Sequence, residues 1–413
     1  MAILKPFRAV RPTRELAAKI AALPYDVMNS EEARDLVKDN PYSFLHVDKA
    51  EIDLPLGTYL YSEEVYQKAA QNLKAMSQKA WYIKDEEPLL YIYAQTMNGR
   101  VQTGIVGCAA IDDYINNIIK KHELTRADKE ADRIRHVDTC NANTGPIFLT
   151  YRGSDKIDEI IKKYTDGTPE YDFVTDDDIR NTVYVVSDRA DVDALCQAFA
   201  EIDYLYIADG HHRAASAVNV GKKRREARPD YDGSEEFNYF LAVLFKSDEL
   251  AIMDYNRLLK DLNSLSLEEL IKRLDEKFIV KEVGTRPYHP EAKHYFGMYV
   301  EGKWYSLKAR DGIYDESDPV SRLDVSILQD NVIEPIFGIA DPRTDKRIDF
   351  VGGIRGLEEL ERRASSDMTL AFSMYPTTLD DLMAIADAGL VMPPKSTWFE
   401  PKLLSGLFVH ELD

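Results

Sequence analysis

The residues best suited to chemistry in this sequence stand together in the stretch Asp209-Gly-His-His-Arg213. Before it, Tyr204 to Ala208 form a short, uninterrupted apolar and aromatic run, which predicts a buried strand. After it, the Ala-rich sequence that begins at Ala214 favours a helix. We therefore predict a tight turn between a strand and a helix, with both histidines and the arginine in the first helical turn.

Such a turn suits an anion, and we expect phosphate. The unpaired N–H groups at a helix N-terminus carry partial positive charge. Gly210 can adopt a positive φ and lets a ligand approach the backbone, and Arg213 offers a rigid fork of donors. The alternative interpretation is that Asp209 only caps the helix and that the histidines are solvated. Because successive helical residues point in different directions, we do not expect His211 and His212 to bind one metal ion.

The turn is similar to the signature of the ParB/sulfiredoxin-like superfamily, whose Gly-x-x-Arg turn binds nucleotide phosphates at a helix start. Free serine kinases of that superfamily carry an Asp-Gly-His-x-Arg form, and an earlier His-Glu pair whose glutamate activates the substrate hydroxyl. This chain has His122-Glu123 in the same order. The resemblance implies catalytic roles for Glu123, Asp209 and His211, a nucleotide or pyrophosphate donor, and Mg²⁺. It also implies a set of residues that bind phosphate or substrate: His122, Gly210, His212 and Arg213.

The whole chain also resembles a family known only as a domain of unknown function, number ten-fifteen. The resemblance rests on five stretches: Lys5-Pro-Phe-Arg8, Leu23-Pro-Tyr-Asp-Val27, Asn40-Pro-Tyr-Ser-Phe-Leu45, Lys121-His-Glu-Leu-Thr-Arg126 and Met392-Pro-Pro-Lys-Ser-Thr397.

Two of these stretches hold further candidates for phosphate or substrate contact. Phosphoryl transfer needs a base near the hydroxyl and cations around the moving phosphate. In the stretch that ends at Arg126, Thr125 and Arg126 accompany Glu123, although so charged a segment is also typical of a solvated helix face. In the stretch that begins at Met392, two prolines stiffen a loop that presents Lys395, Ser396 and Thr397. The alternative interpretation is an ordinary surface loop. If this loop and the Gly210 turn hold one ligand, they must meet in the fold.

Composition limits the partners. The chain has 413 residues with 45% apolar and 30% charged side chains, and a formal charge of −20. This acidity argues against a nucleic-acid binder, which needs a basic face. Three cysteines without metal-type spacing indicate a reducing compartment and no structural zinc. No apolar run reaches 18 residues, so we expect a cytoplasmic protein with a small-molecule substrate and no membrane partner. The oligomeric state stays open.

Alternating helical and strand patterns predict an α+β (mixed α/β) fold, with a ParB/sulfiredoxin-like core and an additional C-terminal α+β region. Asn98-Gly99 predicts a hairpin between 89–97 and 100–111, and we expect strands at 3–10 and 403–410 and a helix at 59–81. Capping boxes begin helices at Asn29/Glu32, Ser266/Glu269 and Thr378/Asp381. The predicted regions are 1–255 with the core, 256–318 as a small insertion and 319–413 completing the site.

These patterns favour a small-molecule phosphotransferase similar to the free serine kinases, which transfers phosphate to a hydroxyl. A phosphate-ester hydrolase using the same site is the nearest alternative. The other is a non-enzymatic nucleotide-binding switch of the ParB type, which would not need Glu123.

Overall fold

The computed structural model describes residues 1–413, and the chain divides into two compact units. The first unit contains Met1–Leu250 together with Pro401–Asp413, and the second contains Ala251–Glu400. Each unit is built around one main sheet, of nine strands in the first and six in the second. The predicted α+β class is confirmed.

The sheet of the first unit is centred on the predicted hairpin, whose strands Leu90–Met97 and Arg100–Ala110 pair in antiparallel register. Leu90, Ile92 and Ile105 are fully buried in its core. The strands follow in the order Ile119–Lys120, Leu205–Asp209, Ile147–Tyr151, Tyr239–Lys246, Arg100–Ala110, Leu90–Met97, Arg180–Val186 and Tyr171–Val174, and Leu4–Lys5 pairs with the fifth of these.

Helices and short strand pairs complete the first unit. The predicted capping box at Asn29 and Glu32 is confirmed by both of its hydrogen bonds. The helices are Ala17–Ile20, Ser30–Val37, Leu45–Asp48, Glu63–Gln78, Ile111–Ile115, Ala127–Cys140, Asp155–Thr165, Arg189–Ala200 and His211–Ala227, with 3₁₀ turns at Ala50–Asp53, Glu236–Asn238 and Ser247–Glu249. Two further strand pairs join Val10–Pro12 to Tyr82–Lys84 and Ala142–Asn143 to His410–Glu411.

The predicted strand, turn and helix around Gly210 are confirmed as Leu205–Asp209 followed by His211–Ala227. The strand runs parallel to Ile119–Lys120 and antiparallel to Ile147–Tyr151. Ala214 and Ala217 on the helix are 0% and 5% exposed, because small side chains let the helix lie close to the sheet. The parallel pairing brings the loop that follows Lys120 to the same edge as the Gly210 turn.

The second unit has its own sheet, flanked by capped helices. Its capping boxes at Ser266 and Thr378 are both confirmed. The strands follow in the order Phe278–Gly284, Lys303–Ala309, Tyr295–Val300, Leu370–Ser373, Tyr255–Leu259 and Ile348–Gly352, and Ile252–Met253 pairs separately with Trp398–Phe399. The helices are Leu267–Asp275, Asp324–Leu328, Glu334–Phe337, Gly356–Ala364 and Leu379–Asp387, with a π turn at Gln329–Ile333 and a 3₁₀ turn at Gly353–Arg355.

Three predicted elements differ from the structure. The strand at 3–10 is interrupted between Leu4–Lys5 and Val10–Pro12, because Pro6 has no N–H for a ladder. The strand at 403–410 is reduced to His410–Glu411, since Gly406 turns at φ +85° against Phe44. The helix at 59–81 is shorter, Glu63–Gln78, and is followed by Ala80 at φ 53°.

The two units also divide the chain differently from the three predicted regions. The segment 256–318 does not stand alone, because Leu370–Ser373 lies between its strands Tyr255–Leu259 and Tyr295–Val300 in one sheet. Residues 319–400 therefore belong with it, whereas Pro401–Asp413 joins the first unit. No helix of the chain combines the length and apolar character that crossing a bilayer requires.

Candidate functional site

The turn at Gly210 has the geometry that its sequence predicts. Gly210 lies in the left-handed region at φ +90° and ψ 32°, and the helix begins at His211. A Cβ atom on Gly210 would lie 3.0 Å from Nε and 3.1 Å from Nη2 of Arg213. Glycine is therefore required here twice, for its backbone conformation and for the space that the guanidinium occupies.

Arg213 is held against the turn by two acceptors. Its Nη1 donates to the carbonyl of Pro146 at 2.5 Å, and Nη2 donates to Oδ2 of Asp209 at 3.1 Å. Nζ of Lys402 lies 3.8 Å from the other Asp209 oxygen. Burial opposes the charge of Asp209, but Lys402 and Arg213 hold the pKa of this carboxyl below its ordinary value. The turn thus carries two cations and one carboxylate that is 32% exposed.

His122 and His211 form a buried pair of rings. Their centroids are 4.5 Å apart at 87°, and the residues are 2% and 4% exposed. Both ring nitrogens of His122 and Nε2 of His211 have no hydrogen-bond partner. Burial lowers the pKa of His122 to about 4 and, together with the nearby His122, lowers the pKa of His211 well below its ordinary value. Both imidazoles are therefore neutral near pH 7.

Glu123 stands at the open side of this pair. It lies in the loop between the strand Ile119–Lys120 and the helix Ala127–Cys140, and its side chain is 52% exposed. Its Oε2 is 3.6 Å from Nδ1 of the buried His211. The fold therefore brings Glu123, His122 and His211 together, as the order of the two motifs led us to expect, and a carboxylate reaches solvent beside a buried neutral imidazole.

The other candidates of the first unit lie around this centre. Nε2 of His212 accepts a hydrogen bond from the backbone N–H of Arg126 at 3.0 Å, which ties the loop to the helix. The hydroxyl of Thr125 donates to Oε2 of Glu130 at 2.6 Å. The guanidinium of Arg126 pairs instead with Asp128 and is 72% exposed. These contacts support the loop, and binding of phosphate by Thr125 or Arg126 stays a prediction.

Glu130 is a site residue that the sequence did not single out. Its carboxylate accepts from Thr125 on one side and from Nδ2 of Asn219 at 2.8 Å on the other. Its carbonyl accepts a longer bond from Ser216 at 3.3 Å. Glu130 thus joins the Glu123 loop to the helix that carries His211. Nothing in its spacing distinguishes it from other helical glutamates.

A small cavity adjoins Arg213. It encloses about 30 Å³ that the centre of a water molecule can occupy. Thr144 donates to a buried oxygen of Asp48 at 2.7 Å, and Nε2 of His136 lies 3.6 Å from that oxygen. The cavity is also lined by Tyr25, Arg133, Val137, Asn143, Gly145, Ile147 and Ser405. This polar lining lies directly beside the Gly210 turn.

Lys395, Ser396 and Thr397 belong to the second unit. Lys395 is exposed, and its Nζ lies 5.4 Å from the ring centroid of Tyr255. The buried hydroxyl of Ser396 donates to the carbonyl of Pro393 at 2.6 Å and so helps to form the loop. That this loop and the Gly210 turn hold one ligand stays a prediction.

The first unit could hold Mg²⁺ only if the protein shared its coordination with a bound phosphate donor. Among residues 1–413, no group of three or more His, Cys, Asp or Glu side chains is arranged to hold a metal. Mg²⁺ is commonly bound by one or two carboxylates together with substrate phosphates. Asp209 offers one such partly exposed carboxylate, so the remaining ligands would come from a phosphate donor and water.

Several solved structures resemble the chain at low similarity. One, described as free serine kinase in complex with AMP, is 16% identical, with 72% of this chain and 86% of that chain covered and a TM-score of 0.34. Another is SbnI with a C-terminal truncation from Staphylococcus aureus, 10% identical, with 73% and 85% covered and a TM-score of 0.38. A conserved hypothetical protein from Pyrococcus furiosus is 16% identical, with 75% and 95% covered and a TM-score of 0.34. The predicted ParB/sulfiredoxin-like core stays a prediction at this similarity.

Sequence comparison identifies the family. No curated protein matches the chain. Residues 4–326 match the family model described as Protein of unknown function (DUF1015), which confirms the predicted resemblance. Since this match covers more than half of the sequence, the chain belongs to the DUF1015 family.

Proposed function

We propose that this protein is a small-molecule phosphotransferase that transfers a phosphoryl group from a nucleotide or pyrophosphate to a hydroxyl. The observation that carries the proposal is the approach of Glu123 Oε2 to Nδ1 of His211, at the start of the helix that Gly210 opens. A carboxylate base and a phosphate-binding helix start within one site are the two parts that the reaction needs.

In the proposed reaction, the acceptor hydroxyl lies against Glu123 and the donor phosphate lies at the helix start. The hydroxyl oxygen forms a bond to phosphorus while the bond to the leaving phosphate oxygen breaks, and the hydroxyl proton passes to Glu123. A carboxylate suffices as base, because it orients the hydroxyl and accepts the proton late. Arg213 and Lys402 lie near the charge that develops on the phosphate oxygens.

Both a nucleotide and pyrophosphate present a terminal phosphate to the turn. Mg²⁺, when bound, would neutralise phosphate oxygens, with Asp209 as its protein ligand. Serine is the first acceptor to test, because the motifs resemble those of free serine kinases.

The test is a screen of donors against acceptors by ³¹P NMR. ATP, ADP and pyrophosphate are each combined with serine and with other small hydroxyl compounds. We expect an acceptor-dependent phosphomonoester signal from the wild-type protein and a loss of roughly 10²–10⁴-fold in rate for Glu123→Gln. Glu201→Gln is the matched control, because its carboxylate is 63% exposed and pairs with Lys156 on the surface.

The alternatives give different results in the same screen. A phosphate-ester hydrolase releases inorganic phosphate whether or not an acceptor is present. A nucleotide-binding switch binds the donor without forming a phosphomonoester, and the Glu123→Gln variant binds the donor as the wild type does. If the variant retains more than about half of the wild-type turnover, Glu123 is not the base, since a positioned base contributes at least 10²-fold.

A further inference from the structure

The second unit buries a guanidinium in an apolar part of its sheet. Arg257 lies in the strand Tyr255–Leu259 and is 4% exposed. Its partners in register are Phe350 on one neighbouring strand and Phe372 on the other. The guanidinium carbon is 5.5 Å from the ring centroid of Phe350. The guanidinium therefore lies beside an aromatic ring, at a position in the sheet where both neighbouring strands carry phenylalanine.

No carboxylate neutralises this guanidinium. Its nitrogens donate only to backbone carbonyls, of Tyr255 and, at 3.0 Å, of Lys395. Other cations of this unit do have acidic partners, such as Lys293 with Asp381 and Arg347 with Asp345. The chain has 72 acidic and 52 basic residues, so acidic partners are not scarce. A buried charge without a partner destabilises the fold, and burial lowers the pKa of Arg257 to about 10.

The carbonyl that Arg257 holds belongs to the loop that projects Lys395. Lys395 has a left-handed backbone at φ 60°, which is strained for a residue other than glycine and persists only where its surroundings hold it. Arg257 fixes its carbonyl, and the hydroxyl of Thr377 donates to the carbonyl of Ser396 at 2.9 Å. The Lys395 ammonium lies over the Tyr255 ring, and it too has no carboxylate partner. Arg257 on the strand and Lys395 on the adjoining loop are thus two cations without a carboxylate partner.

We propose that Arg257 and Lys395 form an anion-binding site of the second unit, and that its ligand carries a phosphate group. A phosphate carries about −1.5 to −2 charges near pH 7 and can offset both cations, whereas a carboxylate offsets only one. A guanidinium has five N–H donors, and the carbonyls of Tyr255 and Lys395 each accept one bond, so Arg257 keeps donors that, like the exposed Lys395 ammonium, suit phosphate oxygens. This site extends the sequence-based assignment of Lys395 by a residue that no motif identified. It does not depend on the first unit being a phosphotransferase.

The test measures binding of inorganic pyrophosphate to the full chain by calorimetry. Every protein carries Arg213→Ala, so that a phosphate site at the Gly210 turn contributes little. We expect Arg257→Met and Lys395→Met each to weaken binding about ten- to a hundredfold. Arg362→Met is the matched control, because that guanidinium is 62% exposed and pairs with Glu359. Acetate at equal ionic strength should not compete.

Unfolding temperature without ligand separates binding from support of the loop. Arg257→Met removes the bonds to the carbonyls of Tyr255 and Lys395, so it should unfold at a lower temperature than its parent, and binding is measured below that temperature. Pyrophosphate should raise the unfolding temperature of the parent and not of this variant. The proposal fails if the parent does not bind pyrophosphate, or if Arg257→Met and Lys395→Met bind it as tightly as Arg362→Met. A failure here leaves the Glu123 test of the first unit unaffected.

Discussion

Nδ1 of His211 lies 3.6 Å from Oε2 of Glu123, and this contact joins the two motifs of the first unit. The imidazole is 4% exposed and stays neutral, because burial and the adjacent His122 lower the pKa of His211 well below its ordinary value. A neutral imidazole can place its single proton on Nδ1 and donate it toward the carboxylate. We infer that His211 orients Glu123, which makes it a positioning residue for the proposed base.

Replacement of His211 tests this role. His211→Asn keeps a donor near the position of Nδ1, whereas His211→Ala removes it. If orientation of Glu123 matters, His211→Ala should lower kcat at least tenfold with little change in KM for the donor, and His211→Asn should recover most of the loss. Steady-state kinetics of phosphomonoester formation measure both constants. Equal losses in the two variants would contradict the positioning role, because only the asparagine restores a donor.

Two glycines with nearly the same backbone conformation test the turn. Gly210 has φ +90°, and a Cβ atom there would lie 3.0 Å from Nε of Arg213. Gly233 has φ +93°, and a Cβ atom there would meet nothing within 4 Å. Substitution by alanine should cost both sites roughly 1–2 kcal/mol of stability through the left-handed backbone. Only Gly210→Ala should also displace the guanidinium and weaken pyrophosphate binding. Chemical denaturation and calorimetry measure the two effects on both variants, each carrying Arg257→Met so that a site in the second unit contributes little, and equal affinities would argue against phosphate binding at this turn.

Because His122 is neutral in the folded protein, we expect the free energy of unfolding to fall in mild acid. Burial lowers the pKa of His122 from 6.5 to about 4, so below pH 6.5 the unfolded chain binds a proton that the folded chain does not. The contribution of the neutral His122 to the free energy of unfolding is complete above pH 6.5 and is lost as the pH falls toward 4. At pH 5.5 the loss is on the order of 1 kcal/mol, because the unfolded chain gains a proton there that the folded chain does not bind. Urea unfolding of His122→Phe at pH 7.5 and 5.5 should show a correspondingly smaller decrease than wild type.

His136 supplies a control of opposite sign within the same unit. Burial opposes its charge, but Cys140 and the nearby Asp48 raise the pKa of His136 to about 9. Its contribution to stability is complete below pH 6.5 and is lost as the pH rises toward 9. His136→Gln should therefore lose more stability than wild type between pH 7.5 and 5.5. A change of the same sign in both variants would contradict the assigned charge states.

Local features of the fold were predictable from the sequence, because neighbouring residues determine them. The turn at Gly210, the hairpin at Asn98-Gly99 and the capping boxes each depend on side chains and backbone groups within a few positions. The strand predicted at 403–410 was wrong for the opposite reason. Ser405 and Val409 pair singly with Ala22 and Val10, distant partners that no local pattern specifies.

The site was predictable only in part. The order of the motifs suggested that Glu123 and His211 meet, but the contact arises from the parallel pairing of Leu205 with Ile119. The burial of Arg257 was not predictable, because it results from phenylalanines on two strands that are far away in sequence. Glu130 was missed because its role depends on the packing of two helices, which its own helical spacing does not reveal.

Glu130 holds the loop of Glu123 to the helix of His211 through Thr125 and Asn219. Asn219→Ala removes one of its bonds, and each such bond contributes about 1 kcal/mol. We expect faster amide hydrogen exchange at residues 121–126 and roughly a fivefold lower kcat, while donor binding at the helix start is unchanged. Lys223→Ala is the control, because Lys223 lies on the same helix but pairs with Asp138 at the surface, where its side chain is 65% exposed. If both variants exchange at the wild-type rate in this loop, Glu130 does not position Glu123.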